Sequence, residues 1–233
     1  MSRADVQEAV AELAVWRHRI DVGYGVVTPG NEDCEAEVHK LALPVDLTGR
    51  RVLDVGCSDG FYSFTCEERG AHDVLAVDDF SSLMNPERNG FAIAAELRGS
   101  NVRFQHRSVY DLDPDIDGLF DVVLFLNVLY HLKHPLLALE KLASVTSPGG
   151  ELYLKTYFRR DLRVWWRGRA FGFDWTRRPK LWFFPGDELA HDPTNWCAPN
   201  LTCLDAMLVT AGYRRLEHLR TAGDRVYVRA TRS

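Results

Sequence analysis

From Arg51 onward, short apolar segments alternate with longer segments of mixed polarity. Five of the apolar segments are rich in Val and Leu and predict buried strands at residues 51–55, 74–77, 102–105, 120–126 and 151–156. The segments between them are long enough for helices. Gly70 is placed to close the first helix, and Pro135 suits the first turn of the helix after the fourth strand. This alternation predicts a parallel sheet covered on both faces.

The two ends of the chain carry different patterns. Ser2 and Asp5 form a capping-box pattern, and an N-terminal amphipathic helix is predicted from the helical spacing of Val6, Val10, Leu13, Trp16 and Ile20. The regularity lapses after residue 156 and returns with a helical segment at 201–211. Two later runs, 213–218 and 225–230, predict an antiparallel hairpin with a short turn.

The composition fits one soluble globular domain. The 233 residues are 46% hydrophobic and 26% charged, with a net charge of −5, which excludes a disordered chain. No segment approaches the roughly 20 apolar residues of a membrane span, and charges interrupt the first 20 residues, so we expect a cytoplasmic protein. The five cysteines form no C-x-x-C pair, which favours buried free thiols over disulfides or a zinc cluster.

Basic residues are concentrated in one segment. Residues 155–180 hold nine Lys and Arg against two Asp, a net charge of +7, so the rest of the chain carries −12. Within 159–185 the arginines alternate with Trp165, Trp166, Phe171, Phe173, Trp175, Trp182, Phe183 and Phe184. Such a mixture can bind nucleic acid, an anionic aromatic molecule, a membrane surface or another subunit. It can equally fold as a cap around its own aromatic core.

A turn of small residues follows the first predicted strand. The segment Asp54-Val55-Gly56-Cys57-Ser58-Asp59-Gly60-Phe61 ends the strand and opens a helix, where glycines let backbone amides approach an anionic ligand. The dinucleotide fingerprint is G-x-G-x-x-G, whereas Gly56 and Gly60 are four residues apart with Ser58 between them. Binding of NAD is therefore disfavoured.

Two further strand ends add candidate ligand groups. Asp78 ends the second strand beside Asp79, where a carboxylate can accept two ribose hydroxyl groups, although it could instead cap a helix. After the third strand, residues 108–111 supply backbone amides where an adenine edge would lie. Asp111 adds a carboxylate there, although alone it could be a turn residue.

The turn and the acid together resemble the class I S-adenosylmethionine-dependent methyltransferases. Asp54-x-Gly56-x-Ser58-x-Gly60 resembles their D-x-G-x-G-x-G turn, with serine at the middle glycine, and Asp78 matches their ribose-binding acid. The resemblance implies a Rossmann-like α/β fold whose seven-stranded, mostly parallel sheet ends in an antiparallel hairpin. It also implies S-adenosylmethionine as cofactor, bound by Asp54, Gly56, Cys57, Ser58, Gly60, Asp78, Asp79, Val109, Tyr110, Asp111, Asn127 and Val128.

The same resemblance divides the single domain into four segments. Residues 1–45 are expected to form an N-terminal helix and a lid over the cofactor, and residues 50–156 the cofactor-binding core. An insertion after the fifth strand, residues 157–200, is expected to cap the substrate. Residues 201–233 supply the C-terminal helix and hairpin.

Three elements narrow the resemblance to one branch. Residues 125–135 (FLNVLYHLKHP) look like the V-L-Y-H-x-x-x-P element of the branch with the tRNA wobble-uridine carboxymethyltransferases, and residues 16–30 and 185–200 look like the flanks of its smaller bacterial members. The wobble-uridine enzymes bind the extra carboxylate of carboxy-S-adenosylmethionine with a lysine, a tyrosine and an arginine. Tyr130 and Arg225 match the last two, whereas His18 falls at the lysine position. Because neutral histidine binds a carboxylate poorly, we expect ordinary S-adenosylmethionine.

The candidate catalytic residues are His131, Tyr130 and His18. Methyl transfer from a sulfonium needs an aligned nucleophile, a desolvated site and, for some acceptors, a base. His131 can remove a proton just past the fourth strand, and Tyr130 can orient a substrate oxygen. His131 could equally be a structural histidine bonded to the turn at 134–135. No carboxylate cluster accompanies His131 and His134, so no metal is expected.

The insertion is expected to overhang the same edge of the sheet and to cover the substrate. The candidate substrate-binding residues are Tyr24, Trp165, Trp166, Asn195, Trp196 and Arg225. Tyr24 could instead be a surface aromatic, and the polar groups of 187–200 could cap helices or turns.

The sequence as a whole predicts a methyltransferase that acts on oxygen or nitrogen of a small-molecule acceptor. A chain of net charge −5 with one basic segment releases few counterions, which disfavours the alternative, a tRNA wobble-uridine methyl- or carboxymethyltransferase. A third interpretation is a cofactor-binding regulatory module without turnover. No membrane partner is expected, and the oligomeric state is left open.

Overall fold

Helices and strands alternate from β1 to β5. The structure, a computed structural model, describes residues 1–32, 34–79, 89–160, 162–166, 169–173 and 177–233, with the backbone alone for 162–166 and 169–173. The helices are α1 (Arg3–Ala11), α2 (Cys34–Leu41), α3 (Phe61–Glu68), α4 (Gly90–Arg98), α5 (Pro114–Asp117), α6 (Pro135–Ser144) and α7 (Leu201–Ala211). The strands are β1 (Arg51–Val55), β2 (Asp73–Asp78), β3 (Arg103–His106), β4 (Phe120–Leu126), β5 (Thr146–Tyr157), β6 (Leu162–Trp166), β7 (Arg169–Phe173), β8 (Leu181–Phe183), β9 (Cys197–Pro199), β10 (Tyr213–Ala222) and β11 (Arg225–Arg232).

Seven of these strands form one sheet in the order β10-β11-β5-β4-β1-β2-β3. The strands from β5 to β3 run parallel, and β11 and β10 complete the sheet as an antiparallel hairpin. The predicted fold class is confirmed, and each predicted strand overlaps an observed one. Because β1 lies between β2 and β4, the strand order reverses here, and the carboxyl ends of these strands meet where open α/β sheets bind ligands.

Alternate residues of the parallel strands face two helical layers. Leu53 packs in a cluster that includes Leu139 of α6 and Leu204 of α7. Its neighbour Val52 packs on the other face with Tyr62 of α3. The alternation follows from the period of two in a strand, and it buries the sheet on both sides. The carboxyl-edge turns are therefore held by a rigid scaffold.

The N-terminal segment differs from its prediction after the first turns. The capping box between Ser2 and Asp5 is present, but α1 ends at Ala11. The prediction of a helix that reaches Ile20 is therefore wrong. Trp16 and Ile20 are buried, yet they lie in irregular backbone.

Long-range hydrogen bonds explain this departure from the helix. The backbone amides of Arg17 and His18 donate to the carboxylate of Asp59, at 2.6 and 2.9 Å, instead of to carbonyls one turn earlier in the chain. The short helix α2, which the sequence analysis did not predict, then packs Val38 and Leu41 on the same face of the sheet as α3.

Between β5 and α7 the chain leaves the main sheet. Here β6 pairs with β7, and β8 pairs with β9, in two antiparallel ladders. The side chains of Trp165 and Trp166, two predicted substrate-binding residues, lie outside the described residues. Of the helices that the structure describes, none is long and apolar enough to cross a membrane.

Candidate functional site

The turn between β1 and α3 forms the floor of the candidate site. Gly56 has a φ of +77°, and a Cβ atom added to it would lie 2.2 Å from Cγ2 of Val128, which follows β4. Ser58 adopts a φ of +51°, a left-handed conformation that glycine favours. Gly60 precedes α3, where a Cβ atom would lie 2.7 Å from a ring atom of Phe64. The turn thus holds two strand ends in close contact.

Two aspartates, the buried Asp54 and the half-buried Asp78, lie next to this turn. The amide of Ser58 donates to Oδ2 of Asp78 (2.8 Å), and the hydroxyl of Ser63 donates to Oδ2 of Asp54 (2.6 Å). Burial raises the pKa of Asp78 to about 6. Burial, with a further contribution from the charge of Asp78, raises the pKa of Asp54 to about 7. Asp79, beside Asp78, is exposed.

Cys57 lies beneath the turn. Its side chain is 1% exposed and packs with Phe64 and Ala76 in the core. Burial raises the pKa of its thiol well above the ordinary range, so the sulfur is protonated at neutral pH. A thiol in this position supports the turn by packing.

The segment after β3 is held by local hydrogen bonds. Val109 is buried in the core, and the Tyr110 hydroxyl accepts a hydrogen bond from the amide of His134 (3.2 Å). The Asp111 carboxylate accepts from the amide of Ser108 (3.2 Å) in a capping box. Asp111 therefore has a structural function as a cap, and its cofactor-binding function stays a prediction.

The segment after β4 brings three predicted residues together. Asn127 has a φ of +63°, and its Oδ1 accepts a hydrogen bond from Nη1 of Arg225 (2.9 Å). The Arg225 guanidinium lies 4.7 Å from the ring centroid of Tyr130 and 3.4 Å from that of Tyr157. These distances are in the cation–π range. The sequence analysis missed Tyr157, which no motif marks.

His131 lies directly after Tyr130 and contacts the chain before β9. Its Nδ1 is 3.0 Å from the carbonyl oxygen of Thr194 and 3.1 Å from the Thr194 hydroxyl. Burial lowers its pKa, so the imidazole is neutral at pH 7. The amide of Trp196 donates to the Tyr130 carbonyl (2.7 Å), which fixes this contact between the insertion and the sheet edge.

His18 lies beside the start of α3, the helix that follows this turn. It is 4% exposed, and its ring centroid is 5.8 Å from that of Tyr62. Its Nδ1 is buried without a hydrogen-bond partner in the described part of the chain. Burial lowers the pKa of His18 to about 3, so the ring is neutral. Its proposed catalytic function stays a prediction.

Asp59 is the clearest residue that the sequence analysis missed. It occupies an unassigned position of the glycine turn, yet it is 3% exposed and binds the backbone of Arg17 and His18. Burial raises the pKa of its carboxyl group. An acidic residue inside a turn of small residues was the available signal, but its partners lie about 40 residues earlier in the chain.

The remaining substrate-binding candidates are dispersed. Tyr24, with a φ of +54°, is 53% exposed on a turn. Asn195 is buried, and its Nδ2 donates to the carbonyl of Leu189 (2.8 Å). The Trp196 ring stacks on Phe183, with the centroids 6.0 Å apart. The backbone of Trp196 also contacts that of Tyr130. The substrate-binding functions of these residues stay predictions.

One trio of possible metal ligands occurs in the described ranges. Ligand atoms of His18, Glu32 and Cys34 lie within 4.8 Å of one another. Glu32 already pairs with the Arg17 guanidinium (2.9 Å), and this positive charge disfavours a cation beside it. The prediction that no metal is bound stays a prediction.

The polar groups at the edge fit an adenosyl sulfonium ligand. With one oxygen bonded to Ser58, the Asp78 carboxylate retains acceptor capacity for sugar hydroxyl groups. The unpartnered Nδ1 of His18 is a further buried polar atom beside the turn, and such atoms call for a partner. Asp78 and the turn residues would therefore hold the sugar and the amino-acid end.

Comparisons with known proteins identify the family of the chain. The chain matches the methyltransferase domain family over residues 28–195. It is 30% identical to a tRNA U34 carboxymethyltransferase of Pseudomonas aeruginosa (strain LESB58), over 91% of this chain and 59% of that protein. The chain spans about half to three-fifths of the length of the curated relatives it matches.

Two solved structures share the fold. The N-terminal domain of EvdMO1, solved with SAH and D-fucose, has a TM-score of 0.68 and 21% identity, over 100% of this chain and 98% of that chain. Burkholderia thailandensis 1,6-didemethyltoxoflavin-N1-methyltransferase, solved with 1,6-didemethyltoxoflavin and S-adenosylhomocysteine, has a TM-score of 0.56 and 18% identity, over 86% and 81%. Given the family match across most of its length, the chain belongs to the methyltransferase domain family, in the class I group that uses S-adenosylmethionine.

Proposed function

We propose that this chain transfers the methyl group of S-adenosylmethionine to oxygen or nitrogen of a small-molecule acceptor, with His131 as the general base. The observation that carries the proposal is the position of His131: a neutral imidazole beside Tyr130, at the edge of the sheet that also holds Asp78. The net charge of −5 and the small molecules named for the two structural neighbours support a small acceptor.

The cofactor, when bound, supplies a methyl group on an activated leaving group. The protein residues then need to bind, orient and deprotonate. Asp78 binds the ribose hydroxyl groups, and the Gly56 turn binds the amino-acid end. Tyr130 and Trp196 cover the acceptor and exclude water, and Nε2 of His131 removes the proton from the attacking hydroxyl or amine.

An acceptor panel with purified enzyme tests this proposal through the formation of S-adenosylhomocysteine. With the acceptor that reacts, His131→Ala is expected to lower turnover roughly 100-fold, with cofactor affinity retained. His191→Ala, at an exposed turn within the insertion, is the matched control and should keep wild-type turnover. Wild-type turnover in His131→Ala would exclude the base function.

The absence of product across the whole panel, with tight cofactor binding by calorimetry, would contradict the proposal. That result would favour a regulatory module that binds the cofactor without turnover. Hydroxyl-bearing sugars and aromatic ring nitrogens belong in the panel because the structural neighbours were solved with such ligands.

A second candidate is a tRNA wobble-uridine methyl- or carboxymethyltransferase. The 30% identity to the Pseudomonas aeruginosa protein favours it, and so does the contact between Arg225 and Tyr130, the two residues that match its carboxylate-binding set. A salt series of tRNA binding separates the candidates, since phosphate contacts give a steep loss of affinity with added salt. A lack of binding even at low salt would exclude the tRNA candidate.

The preference between S-adenosylmethionine and carboxy-S-adenosylmethionine provides a second test that distinguishes the two candidate functions. Arg225→Gln removes the guanidinium while Tyr130 stays in place. If the chain uses the carboxylated cofactor, this variant loses affinity for carboxy-S-adenosylmethionine and not for S-adenosylmethionine. Equal affinity of the wild-type protein for both cofactors would contradict the carboxymethyltransferase candidate.

A further inference from the structure

We infer that Thr194 and Asp192 are positioning residues for His131: they hold its Nδ1–H, leave Nε2 free to accept a proton, and stabilise the protonated ring. The inference rests on the proposed function of His131 as the base. Neither residue was assigned a function by the sequence motifs, and both lie in the turn that precedes β9.

Four hydrogen-bond contacts connect the carboxylate of Asp192 to the imidazole of His131 through Thr194. Oδ1 of Asp192 accepts from both the hydroxyl (2.6 Å) and the amide (2.8 Å) of Thr194. The Thr194 hydroxyl oxygen then lies 3.1 Å from Nδ1 of His131, and the Thr194 carbonyl oxygen lies 3.0 Å from the same atom. Thr194 thus contacts both groups.

This arrangement selects one tautomer of His131. A hydroxyl has one proton, and the Thr194 hydroxyl gives it to Asp192, so its oxygen can only accept from the imidazole. The carbonyl oxygen of Thr194 can also only accept. Both partners therefore require a proton on Nδ1, which leaves the lone pair of the neutral ring on Nε2.

The turn is held firmly against the sheet edge. The Asn195 amide donates to the Asp192 carbonyl (3.1 Å), and the Asn195 side chain donates to the Leu189 carbonyl (2.8 Å). The Trp196 amide donates to the Tyr130 carbonyl (2.7 Å). The distance between Thr194 and His131 is therefore fixed from both sides.

The charges around the ring act in opposite directions. The carboxylate of Asp192 and the hydrogen bond to Thr194 favour the protonated ring. Burial opposes it, and so do the positive charges of Arg17, from the N-terminal segment, and Arg225, from β11. Asp192 thus offsets two cations at the site.

In the proposed transfer, a lone pair of the acceptor oxygen or nitrogen would form the bond to the methyl carbon, and the bond from that carbon to the sulfonium sulfur would break, with its electron pair left on S-adenosylhomocysteine. The O–H or N–H bond of the acceptor would break, its electron pair would stay on the acceptor atom, and its proton would pass to Nε2 of His131. The imidazolium charge is then stabilised through Nδ1–H by Thr194 and, one bond further, by Asp192. Release of the proton from Nε2 to water restores the neutral ring.

Two variants of the 233-residue chain test the inference. Asp192→Asn and Thr194→Val remove the carboxylate and the hydroxyl, and Thr194→Ser restores the hydroxyl. Asp187→Asn, in the segment before this turn, is the matched control. The readout is an NMR titration of the His131 ring nitrogens in the free protein, with the signal assigned by its loss in His131→Ala.

We expect the neutral ring of the wild-type protein to carry its proton on Nδ1. The pKa of His131 should shift downward in Asp192→Asn and Thr194→Val, because the protonated form loses its stabilisation. Thr194→Ser and Asp187→Asn should titrate as the wild type does. A proton on Nε2 in the wild-type protein, or unchanged titration in both variants, would overturn the inference.

Kinetics separate this inference from the proposed function. With the acceptor that reacts, the acid limb of the kcat/KM profile should move to lower pH in Asp192→Asn by the shift seen in the titration. Turnover with an unchanged profile in Asp192→Asn contradicts the inference alone. If no acceptor reacts with the wild-type enzyme, the proposed function fails, while the NMR titration still decides the arrangement around His131.

Discussion

Val128 explains why residue 56 is glycine. A Cβ atom at residue 56 would lie 2.2 Å from Cγ2 of Val128, far inside van der Waals contact, and the φ of +77° disfavours other residues as well. Ser58 shows that a positive φ alone is tolerated in this turn, since it adopts +51° with a side chain. The steric requirement at Gly56 is therefore stricter than at Ser58.

Gly56→Ala is expected to lower the free energy of unfolding by about 2–4 kcal/mol, because it combines backbone strain with a steric clash. Chemical denaturation measures this change. Gly99→Ala is the matched control: Gly99 has a φ of +61° but no atom within 4 Å of an added Cβ, so it reports the backbone strain alone.

Val128→Ala in the Gly56→Ala background should recover part of the loss, since it removes the clashing methyl group. An effect of Gly56→Ala no larger than that of Gly99→Ala would mean that Val128 moves away at little energetic cost.

At the scale of elements, the sequence predicted the strands and helices whose apolar residues recur at a regular spacing along the chain. The strands from β1 to β5 and the hairpin of β10 and β11 were recognised because buried strands are continuous in Val and Leu and are separated by turn residues. The helix α1 was predicted too long because Asp59 binds the amides of Arg17 and His18. A local pattern does not contain such a distant partner.

The same limit applies to the candidate site. Gly56 and Asp78 could be named as candidates because a motif fixes their spacing, one just after β1 and one at the end of β2. Thr194 could not be assigned to His131, since 63 residues separate them and only the fold brings them within 3.1 Å. The contact between Arg225 and Tyr130 was implied by a resemblance and not by spacing.

Asp59→Ala is expected to release the N-terminal segment from the turn between β1 and α3. It leaves two backbone amides without their acceptor, and we expect a loss of about 1–3 kcal/mol in the free energy of unfolding. Hydrogen exchange at residues 16–20 should accelerate more than exchange in β1. Asp46→Ala is the control, because Asp46 is exposed and accepts a local hydrogen bond from the amide of Thr48.

If the exchange rates at residues 16–20 stay at the wild-type value, Asp59 does not anchor this segment. Asp59→Asn retains one carbonyl acceptor, so its effect should be smaller than that of alanine. An effect of asparagine as large as that of alanine would indicate that the negative charge, rather than the hydrogen bonds, holds the segment.

At the scale of the whole molecule, acidic groups near the turn between β1 and α3 make the free energy of unfolding depend on pH. The pKa values of Asp54, about 7, and Asp78, about 6, both lie above the ordinary value for the residue. Between about pH 4 and 7, the folded chain therefore binds protons that the unfolded chain has released. His18 acts with the opposite sign, because its lowered pKa makes the unfolded chain bind more protons.

Since these contributions oppose each other, the comparison of wild type with Asp78→Asn isolates one of them. The raised pKa of Asp78 costs stability as the pH rises from 4 to 7, and asparagine carries no such cost. We expect the melting temperature of Asp78→Asn, relative to wild type, to increase over this range in the absence of cofactor. Asp115→Asn, at an exposed position outside the candidate site, is the surface control.

Addition of S-adenosylmethionine should instead stabilise the wild-type protein more than Asp78→Asn as the pH rises. The ionised Asp78 is the better acceptor for ribose hydroxyl groups, so the increase in melting temperature caused by the cofactor should grow through pH 6 in the wild-type protein. In Asp78→Asn the increase should be smaller and nearly independent of pH. Thermal scans at pH 5 to 7.5, with and without cofactor, measure both trends. If the cofactor stabilises Asp78→Asn as strongly as wild type at pH 7.5, Asp78 does not bind the ribose.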